Sequence, residues 1–157
     1  LVPEYENLVV LRTMSKWAGL AGLRVGYGIM SPDIVSHLMD IKSPYNVNVA
    51  GEAALLASLD DAPALLENVG KIVAERTRLQ GILEEMPGIT PWPSEGNFIL
   101  CQMPDAAGAQ RVYDELAGRG VFVRNFGSDR LQDCFRVAVG TPAETDAFVE
   151  ALREVVR

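Results

Sequence analysis

The sequence predicts an α/β fold in which the edge of a larger domain leads through a long helix into a small α+β domain. Short apolar runs rich in β-branched residues are typical of buried strands. Helices with clear start signals alternate with these runs. Between residues 62 and 86, apolar side chains recur with a period of 3.6 residues, which indicates one long linking helix. We therefore expect residues 1–68 to belong to the larger domain and 69–157 to the smaller one.

Two strands and two helices are predicted before the long helix. Residues 7–12 are a short apolar, β-branched run that predicts a buried strand, and residues 25–30 are expected to form a second strand. Ser31, followed by proline, is a typical cap for a helix that runs to about residue 42. Asn48 can cap a second helix that ends near residue 59.

Strands and helices also alternate after the long helix. The sequence predicts a closing helix that begins after Thr141, because threonine followed by proline is a favourable helix start. The remaining elements are strands over 89–92, 98–102, 121–123 and 134–139 and a helix over 106–118, with the closing helix over 142–156.

Composition excludes several classes of partner and site. The net charge of −7 disfavours nucleic acid or an anionic membrane as a partner. No apolar run approaches the roughly 18 residues that a membrane span needs. Cys101, Cys134 and the single His37 follow no metal-ligand spacing, so we expect no metal site and two reduced structural thiols in a cytoplasmic protein.

The segment 13–24 carries the strongest chemical signal. Lys16 follows two hydroxyl residues, Thr13 and Ser15, directly after a predicted strand, and Arg24 comes eight positions later. Lysine is the usual residue for Schiff-base chemistry with a carbonyl, and a guanidinium with two hydroxyls suits a phosphate. These residues could hold a phosphorylated aldehyde, although from residue types alone a surface lysine in a flexible loop is the simpler interpretation.

The exact string Thr-x-Ser-Lys, followed by Gly-Leu-Ala-Gly-Leu-Arg-x-Gly-Tyr, resembles the cofactor-lysine segment of fold-type-I aminotransferases that use pyridoxal 5′-phosphate. Its narrower form, Arg-Thr-x-Ser-Lys with Leu-Ala-Gly-Leu-Arg, is similar to histidinol-phosphate aminotransferases. The resemblance implies that Lys16 is the catalytic Schiff-base lysine, and that Thr13, Ser15 and Arg24 bind the cofactor phosphate. It also implies that the first part of the chain is the end of a three-layer αβα large domain.

Two weaker matches follow in the order that the family leads us to expect. Ser-Pro-Tyr-Asn-Val-Asn around Tyr45 resembles a segment that follows the cofactor loop, although it could simply be a helix-capping turn. Ser-Glu-Gly-Asn-Phe resembles a segment whose asparagine, here Asn97, lies near the substrate. Gly96 stands where alanine is commoner in the family.

Two arginines at predicted strand ends could bind an anion. Arg124 and Arg136 each carry a planar fork of donors that binds a carboxylate or phosphate bidentately. Without the resemblance, a pair of surface arginines in salt bridges would be the simpler interpretation. The resemblance implies that Arg136 binds the substrate carboxylate and that Arg124 assists with its phosphate or carboxylate.

The resemblance implies a transaminase that takes an amino donor and a 2-oxo acid, and that is a homodimer in its full-length form. Another fold-type-I enzyme, such as an aromatic aminotransferase or a threonine-phosphate decarboxylase, remains an alternative, as does a non-catalytic interaction module. The chain begins Leu-Val-Pro and matches only the latter half of the family's length. We therefore expect a piece of a longer polypeptide that is inactive alone, because the ring-binding Asn, Tyr and Asp of the family have no counterpart here.

Overall fold

The computed structural model describes residues 1–156, which form two compact units. The first unit is Leu1–Val69, and the second begins at Gly70. The division falls inside a helix of 23 residues, α3 (Ala62–Glu84), which agrees closely with the predicted linking helix. None of the helices described within residues 1–156 is long and apolar enough to cross a membrane.

The first unit contains two strands and two helices before α3. Strands β1 (Val10–Thr13) and β2 (Gly26–Ile29) pair antiparallel, with Val10 opposite Ile29 and Thr13 opposite Gly26. Both strands were predicted, but the expectation that the first is buried is wrong. Leu11 is 76% exposed, and every residue of β2 is exposed. A sheet of two strands leaves apolar side chains on its faces in contact with solvent.

Both predicted helix starts in the first unit are confirmed. Helix α1 (Pro32–Ile41) begins after Ser31, whose side chain accepts a hydrogen bond from the backbone N–H of Ile34. Helix α2 (Val49–Asp60) begins after Asn48, whose Oδ1 accepts from the N–H of Gly51 at 2.7 Å. Each side chain satisfies one of the N–H groups that a helix leaves without a partner in its first turn.

The second unit is a four-stranded antiparallel sheet packed against helices. Its strands lie in the order β3-β4-β6-β5 and every neighbouring pair is antiparallel. The elements are β3 (Thr90–Pro91), β4 (Phe98–Gln102), α4 (Ala106–Gly118), β5 (Arg124–Asn125), β6 (Cys134–Ala138) and α5 (Pro142–Val155). Ile99, Cys101, Phe135 and Val137 of the sheet join helix side chains in one buried core.

The predicted strand over residues 121–123 is absent. The N–H of Val121 donates to the carbonyl oxygen of Leu116, so this residue completes the turn that ends α4. Gly120 makes the turn possible with a φ of +77°, a conformation that glycine adopts easily. Val121 and Val123 pack against the core without pairing in the sheet, and the strand begins at Arg124 instead.

The closing helix α5 is held by two sets of polar contacts. The predicted threonine cap is confirmed, and Thr141 also forms a reciprocal capping box with Glu144 at the start of the helix. Within the same unit, Arg78 of α3 contacts the buried carboxylate of Glu75 at 2.6 Å and Asp146 of α5 at 2.8 Å. This arginine therefore connects α3 to α5 at the edge of the core.

Candidate functional site

The predicted site residues fall into two groups, one in each unit. Thr13, Ser15, Lys16, Arg24 and Tyr45 belong to the first unit. Asn97, Arg124 and Arg136 belong to the second unit. Each group has its own local geometry, which we describe separately.

The loop between β1 and β2 is closed at its base by backbone hydrogen bonds. The N–H of Met14 donates to the carbonyl oxygen of Val25 at 3.1 Å, and the N–H of Leu20 donates to the carbonyl oxygen of Met14 at 3.2 Å. Met14, Ala18 and Val25 are buried together and anchor the loop. The two residues after Met14, Ser15 and Lys16, are therefore presented by a fixed backbone.

The hydroxyl groups of Thr13 and Ser15 lie in direct contact. Thr13 Oγ1 donates to Ser15 Oγ at 2.8 Å, and it also accepts from the backbone N–H of Ser15 at 3.1 Å. Lys16 is exposed at the turn that follows, where its carbonyl oxygen accepts from the N–H of Gly19. Gly19 has a φ of +69°, which favours glycine at this position. Two hydroxyls and an amine thus project from four consecutive residues.

Arg24 has an unusual backbone conformation. Its φ is +57°, and it is the single non-glycine residue with a positive φ among residues 1–156. A long side chain in the left-handed region costs free energy, and such strain concentrates at functional sites. The Arg24 side chain donates to the carbonyl oxygen of Ala21 at 3.1 Å.

Asn48 holds the backbone beside Arg24 in place. Its Nδ2 donates to the carbonyl oxygen of Leu23 at 3.2 Å, while its Oδ1 caps α2 through the N–H of Gly51. A Cβ added at Gly51 would lie 2.8 Å from the side chain of Val25, so glycine allows the close approach of α2 to the loop. The first turn of α2 therefore supports both neighbours of the strained arginine.

The donor set of this loop suits a phosphate monoester that carries a carbonyl group. Two adjacent hydroxyls and a guanidinium are good phosphate ligands, and no acidic residue lies within the segment 13–24 to compete for them. The exposed amine of Lys16 is the nucleophile that a carbonyl requires. The residues present therefore fit a phosphorylated aldehyde.

The side chain of Tyr45 is almost fully exposed. It is 93% exposed, and its backbone N–H donates to Ser43 Oγ at 3.3 Å in the turn between α1 and α2. This contact fixes the backbone of the turn, but within residues 1–156 no hydrogen bond or ion pair involves the tyrosine hydroxyl. Its predicted role in substrate binding stays a prediction.

Arg124 and Arg136 are brought together by the sheet. They are direct partners across the β5–β6 pair, and both are exposed. Direct partners in an antiparallel pair project from the same face, with Cβ atoms roughly 5 Å apart. Neither arginine forms an ion pair within the part of the chain that is described, contrary to the interpretation of surface salt bridges. Two guanidinium groups on one face can bind a single anion between them.

Asn97 lies in a tight turn just before β4. Its carbonyl oxygen accepts from the N–H of Val139 at 2.9 Å, which extends the pairing of β4 with β6 by one bond. Ser94 Oγ donates to the carbonyl oxygen of Phe98 and accepts from the N–H of Gly96. The turn therefore presents Asn97, which is exposed, from a fixed backbone.

Phe98 is a neighbour of the arginine pair that sequence reasoning missed. The guanidinium carbon of Arg136 lies 4.9 Å from the centre of the Phe98 ring. In the sequence, Phe98 ends the Ser-Glu-Gly-Asn-Phe segment and begins a predicted strand, and neither feature indicates a contact with Arg136. The alternation of Phe98, Leu100 and Gln102 on one face of β4 was visible, but the register that sets Leu100 opposite Arg136 was not.

The class I and II aminotransferase family model matches residues 1–152 of this chain. The chain belongs to the class I and II aminotransferases. Its match extends over both units, including the loop with Lys16 and the pair of strands with Arg124 and Arg136.

The relatives that this chain resembles include several histidinol-phosphate aminotransferases. The chain is 52% identical over 157 residues to histidinol-phosphate aminotransferase of Roseiflexus castenholzii, covering 99% of this chain and 42% of that protein. It is 47% identical over 153 residues to the chloroplastic histidinol-phosphate aminotransferase 1 of Arabidopsis thaliana, covering 98% of this chain and 37% of that protein. The chain thus spans about two fifths of the length of these relatives.

A solved structure supports the same relationship for this aminotransferase chain. The fold matches histidinol-phosphate aminotransferase of Sinorhizobium meliloti, solved in complex with pyridoxal 5′-phosphate, with a TM-score of 0.80 and 34% identity. The match covers 97% of this chain and 42% of that protein. The predicted α/β fold of a pyridoxal-phosphate-dependent aminotransferase is therefore confirmed.

Proposed function

We propose that this chain is part of a histidinol-phosphate aminotransferase that uses pyridoxal 5′-phosphate. The enzyme would convert histidinol phosphate and 2-oxoglutarate into imidazole acetol phosphate and glutamate. The observation that carries the proposal is the loop in which two hydrogen-bonded hydroxyls, an exposed lysine and a strained arginine occur together. The 52% identity to a relative of that name supports the choice of substrate.

The residues of the first unit would hold the cofactor. Thr13, Ser15 and Arg24 donate hydrogen bonds to its phosphate, because hydroxyl and guanidinium groups are strong donors to an anion. Lys16 would hold the aldehyde carbon of the cofactor through its Nζ, and its amine, when free, would take up the proton from the Cα of the amino donor. When bound, the cofactor supplies an electron sink for the negative charge that develops at that carbon.

The residues of the second unit would bind the acidic group of each substrate. Arg136 and Arg124 present donors on one face of the sheet, so one anion can contact both. Histidinol phosphate and glutamate each carry an anionic group remote from the reacting amine. A shared arginine pair therefore serves both half-reactions, while Asn97 and Tyr45 contribute further contacts to the substrate.

The remaining parts of the proposal concern the complete enzyme. We infer that residues 1–68 complete a large cofactor-binding domain, that residues 69–157 form the small domain, and that the enzyme is a cytoplasmic homodimer. The exposed apolar side chains of the first unit support a further interface there, since monomers rarely expose large apolar patches. Light scattering of an active enzyme containing this chain measures the dimer directly.

Covalent labelling tests the cofactor proposal in the 157-residue chain itself. The chain is incubated with pyridoxal 5′-phosphate, reduced with borohydride and digested, and the adduct is located by mass spectrometry. We expect the label on Lys16 in preference to Lys42 and Lys71, and a Lys16→Arg variant without it. Labelling spread evenly over the three lysines would contradict a cofactor site in this loop.

A chimera tests the substrate proposal. Joining this chain to the part of the Roseiflexus castenholzii enzyme that it does not match restores the full family length. We expect the chimera to transaminate histidinol phosphate, a Lys16→Ala chimera to lose this activity, and the chain alone to have little. A chimera that forms product from threonine phosphate with release of carbon dioxide, and not from histidinol phosphate, would favour the decarboxylase alternative.

A further inference from the structure

Phe98 shares a face of the second unit's sheet with the two arginines. In the β4–β6 register, Phe98 pairs with Ala138 and Leu100 pairs with Arg136, so Phe98 is diagonal to Arg136. Arg124 pairs with Arg136 from the other side. Side chains on one face reach their diagonal neighbours when they are long or aromatic. Arg136 is therefore flanked by a ring on one side and by a like charge on the other.

The ring is the one specific contact of the Arg136 side chain within residues 1–156. Its guanidinium carbon lies 4.9 Å from the ring centre, well inside the range in which the negative face of an aromatic ring attracts a cation. No hydrogen bond or ion pair of this side chain occurs among the same residues. A ring contact uses no N–H group, so the donors of the guanidinium stay available for a carboxylate or phosphate.

Without the ring, two effects would favour other orientations of the Arg136 side chain. An exposed arginine has many rotamers, and ordering it on an anion carries an entropic cost. Repulsion from Arg124, its direct partner, favours rotamers that separate the two guanidinium groups. Both effects disfavour a geometry in which the two arginines contact one anion. The attraction of the Phe98 ring counteracts them.

The backbone of Phe98 is itself held in place. Its backbone carbonyl accepts from Ser94 Oγ, and the turn before it is fixed by Arg76, which donates to the carbonyl oxygen of Gly96 at 3.2 Å and contacts Glu95 at 3.2 Å. The next residue, Ile99, is fully buried in the core. Phe98 is 38% exposed, and the Arg136 guanidinium lies over the face of its ring.

From these contacts we infer that Phe98 is a positioning residue: its ring holds the Arg136 guanidinium in the orientation that binds the acidic group of the substrate. This inference rests on the proposed function, which makes the arginine pair the anion site. It assigns no contact with substrate to Phe98. The residue acts through Arg136, and its effect depends on the electron density of the ring and not on its shape alone.

The first experiment measures anion binding by the 157-residue chain, with glutarate as the dicarboxylate probe and nuclear magnetic resonance as the readout. We expect Phe98→Leu to weaken glutarate binding about two- to fivefold, the equivalent of an exposed cation–π contact. Phe98→Tyr keeps a π face and should bind like the parent chain. Phe122→Leu removes another exposed aromatic ring of the same unit and is the matched control, with unchanged affinity.

A shape-matched probe separates the ring's electrostatics from packing. Trifluorophenylalanine at position 98 keeps the size of the ring but depletes its negative face. We expect it to weaken glutarate binding and to reduce the ring-current shift of the Arg136 side-chain protons, with the backbone spectrum unchanged. Because this variant preserves packing, it decides the question even where Phe98→Leu perturbs the fold.

The outcomes separate this inference from the proposed function. If the fluorinated and leucine variants bind glutarate like the parent while Arg136→Gln does not bind, the positioning role of Phe98 is wrong and the arginine site stands. If Arg136→Gln also binds like the parent, the arginine site itself is wrong. Loss of binding in the fluorinated variant with retention in Phe98→Tyr supports the inference.

Discussion

Arg124 and Arg136 face each other directly across the β5–β6 strand pair, in the position where opposite charges would be favourable. Two like charges in a direct cross-strand pair destabilise a sheet. Among residues 1–156, neither has an acidic partner that would offset the repulsion. This arrangement lowers the stability of the sheet, but it concentrates positive charge on one face of a protein whose net charge is −7. An anion site requires such a local positive charge.

We expect Arg124→Gln to stabilise the second unit while it weakens anion binding. Removing one of the two facing charges should raise the free energy of unfolding by about 0.5 kcal/mol at low salt, and the gain should fade in 0.5 M NaCl. Urea unfolding measures the first effect and phosphate titration the second. Arg111→Gln makes the same change in net charge on α4 and is the control. A loss of stability in Arg124→Gln would contradict the repulsion.

Arg24 is a second residue that lowers stability, through its strained backbone, and that we expect to contribute to binding. Because its φ is +57°, we expect Arg24→Gly to be more stable than Arg24→Ala by about 1 kcal/mol, the reverse of the usual order for these two residues. Both variants should lose retention of pyridoxal 5′-phosphate to a similar extent, because both lack the guanidinium. Urea unfolding and equilibrium dialysis give the two values. Equal stability of the two variants would show that the left-handed conformation is not strained.

The extent to which the sequence predicts this structure depends on how local each signal is. The helix starts at Asn48 and Thr141 were predictable because capping is a contact between residues three apart. The loop that carries Lys16 was predictable from an unusually long motif. Each of these signals is contained in a short stretch of chain.

The features that were missed depend on distant residues. The apolar run over 121–123 indicated a strand, but its first N–H is taken by Leu116 at the end of α4. Arg124 and Arg136 were expected to act on the same substrate, but the register that makes them direct partners was not predicted. Neither was the contact of Phe98 with Arg136, which joins residues still further apart in the chain. Register and ring geometry leave no periodic trace in a single sequence.

The contact between Glu75 and Arg78 predicts a dependence of stability on both partners. Hydrogen bonds from Arg78 hold the pKa of the Glu75 carboxyl below its ordinary value, although burial opposes this. We expect Arg78→Leu to lower Tm by about 5 °C, because it leaves a buried carboxylate unpaired. The double variant Glu75→Leu with Arg78→Leu should recover most of the loss. Calorimetry measures the Tm of both variants. A double variant whose Tm is no higher than that of Arg78→Leu would contradict the explanation.

The same carboxyl predicts how stability changes in acid. A pKa that is lower in the folded protein contributes stability above the unfolded value of about 4.5, and this contribution is lost as the pH falls through the folded pKa. Glu144, whose pKa is lowered by hydrogen bonds from Thr141, acts in the same direction. Glu144→Gln should therefore flatten the fall of Tm between about pH 5 and pH 3.

The two cysteines predict that folding stability falls as the pH rises into the alkaline range. Burial raises the pKa of Cys101 to about 12, with a smaller contribution from Cys134, and burial together with Asp133 raises the pKa of Cys134 to about 11. Both thiols are free and buried, as the sequence led us to expect. In the β4–β6 register, Cys101 pairs with Phe135, the neighbour of Cys134, so the two thiols project from opposite faces of the sheet and are unsuited to a disulfide.

We expect both thiols to react with Ellman's reagent at pH 8 at least about a hundredfold more slowly in the folded chain than in urea, because so little thiolate is present. A pKa that is higher in the folded protein favours folding while the unfolded thiol is protonated. The contribution is therefore lost as the pH rises from about 9 toward 12. Urea unfolding at pH 8 and pH 10 should show a smaller loss for Cys101→Ala than for the parent chain. An identical loss would show that Cys101 ionises equally in both states.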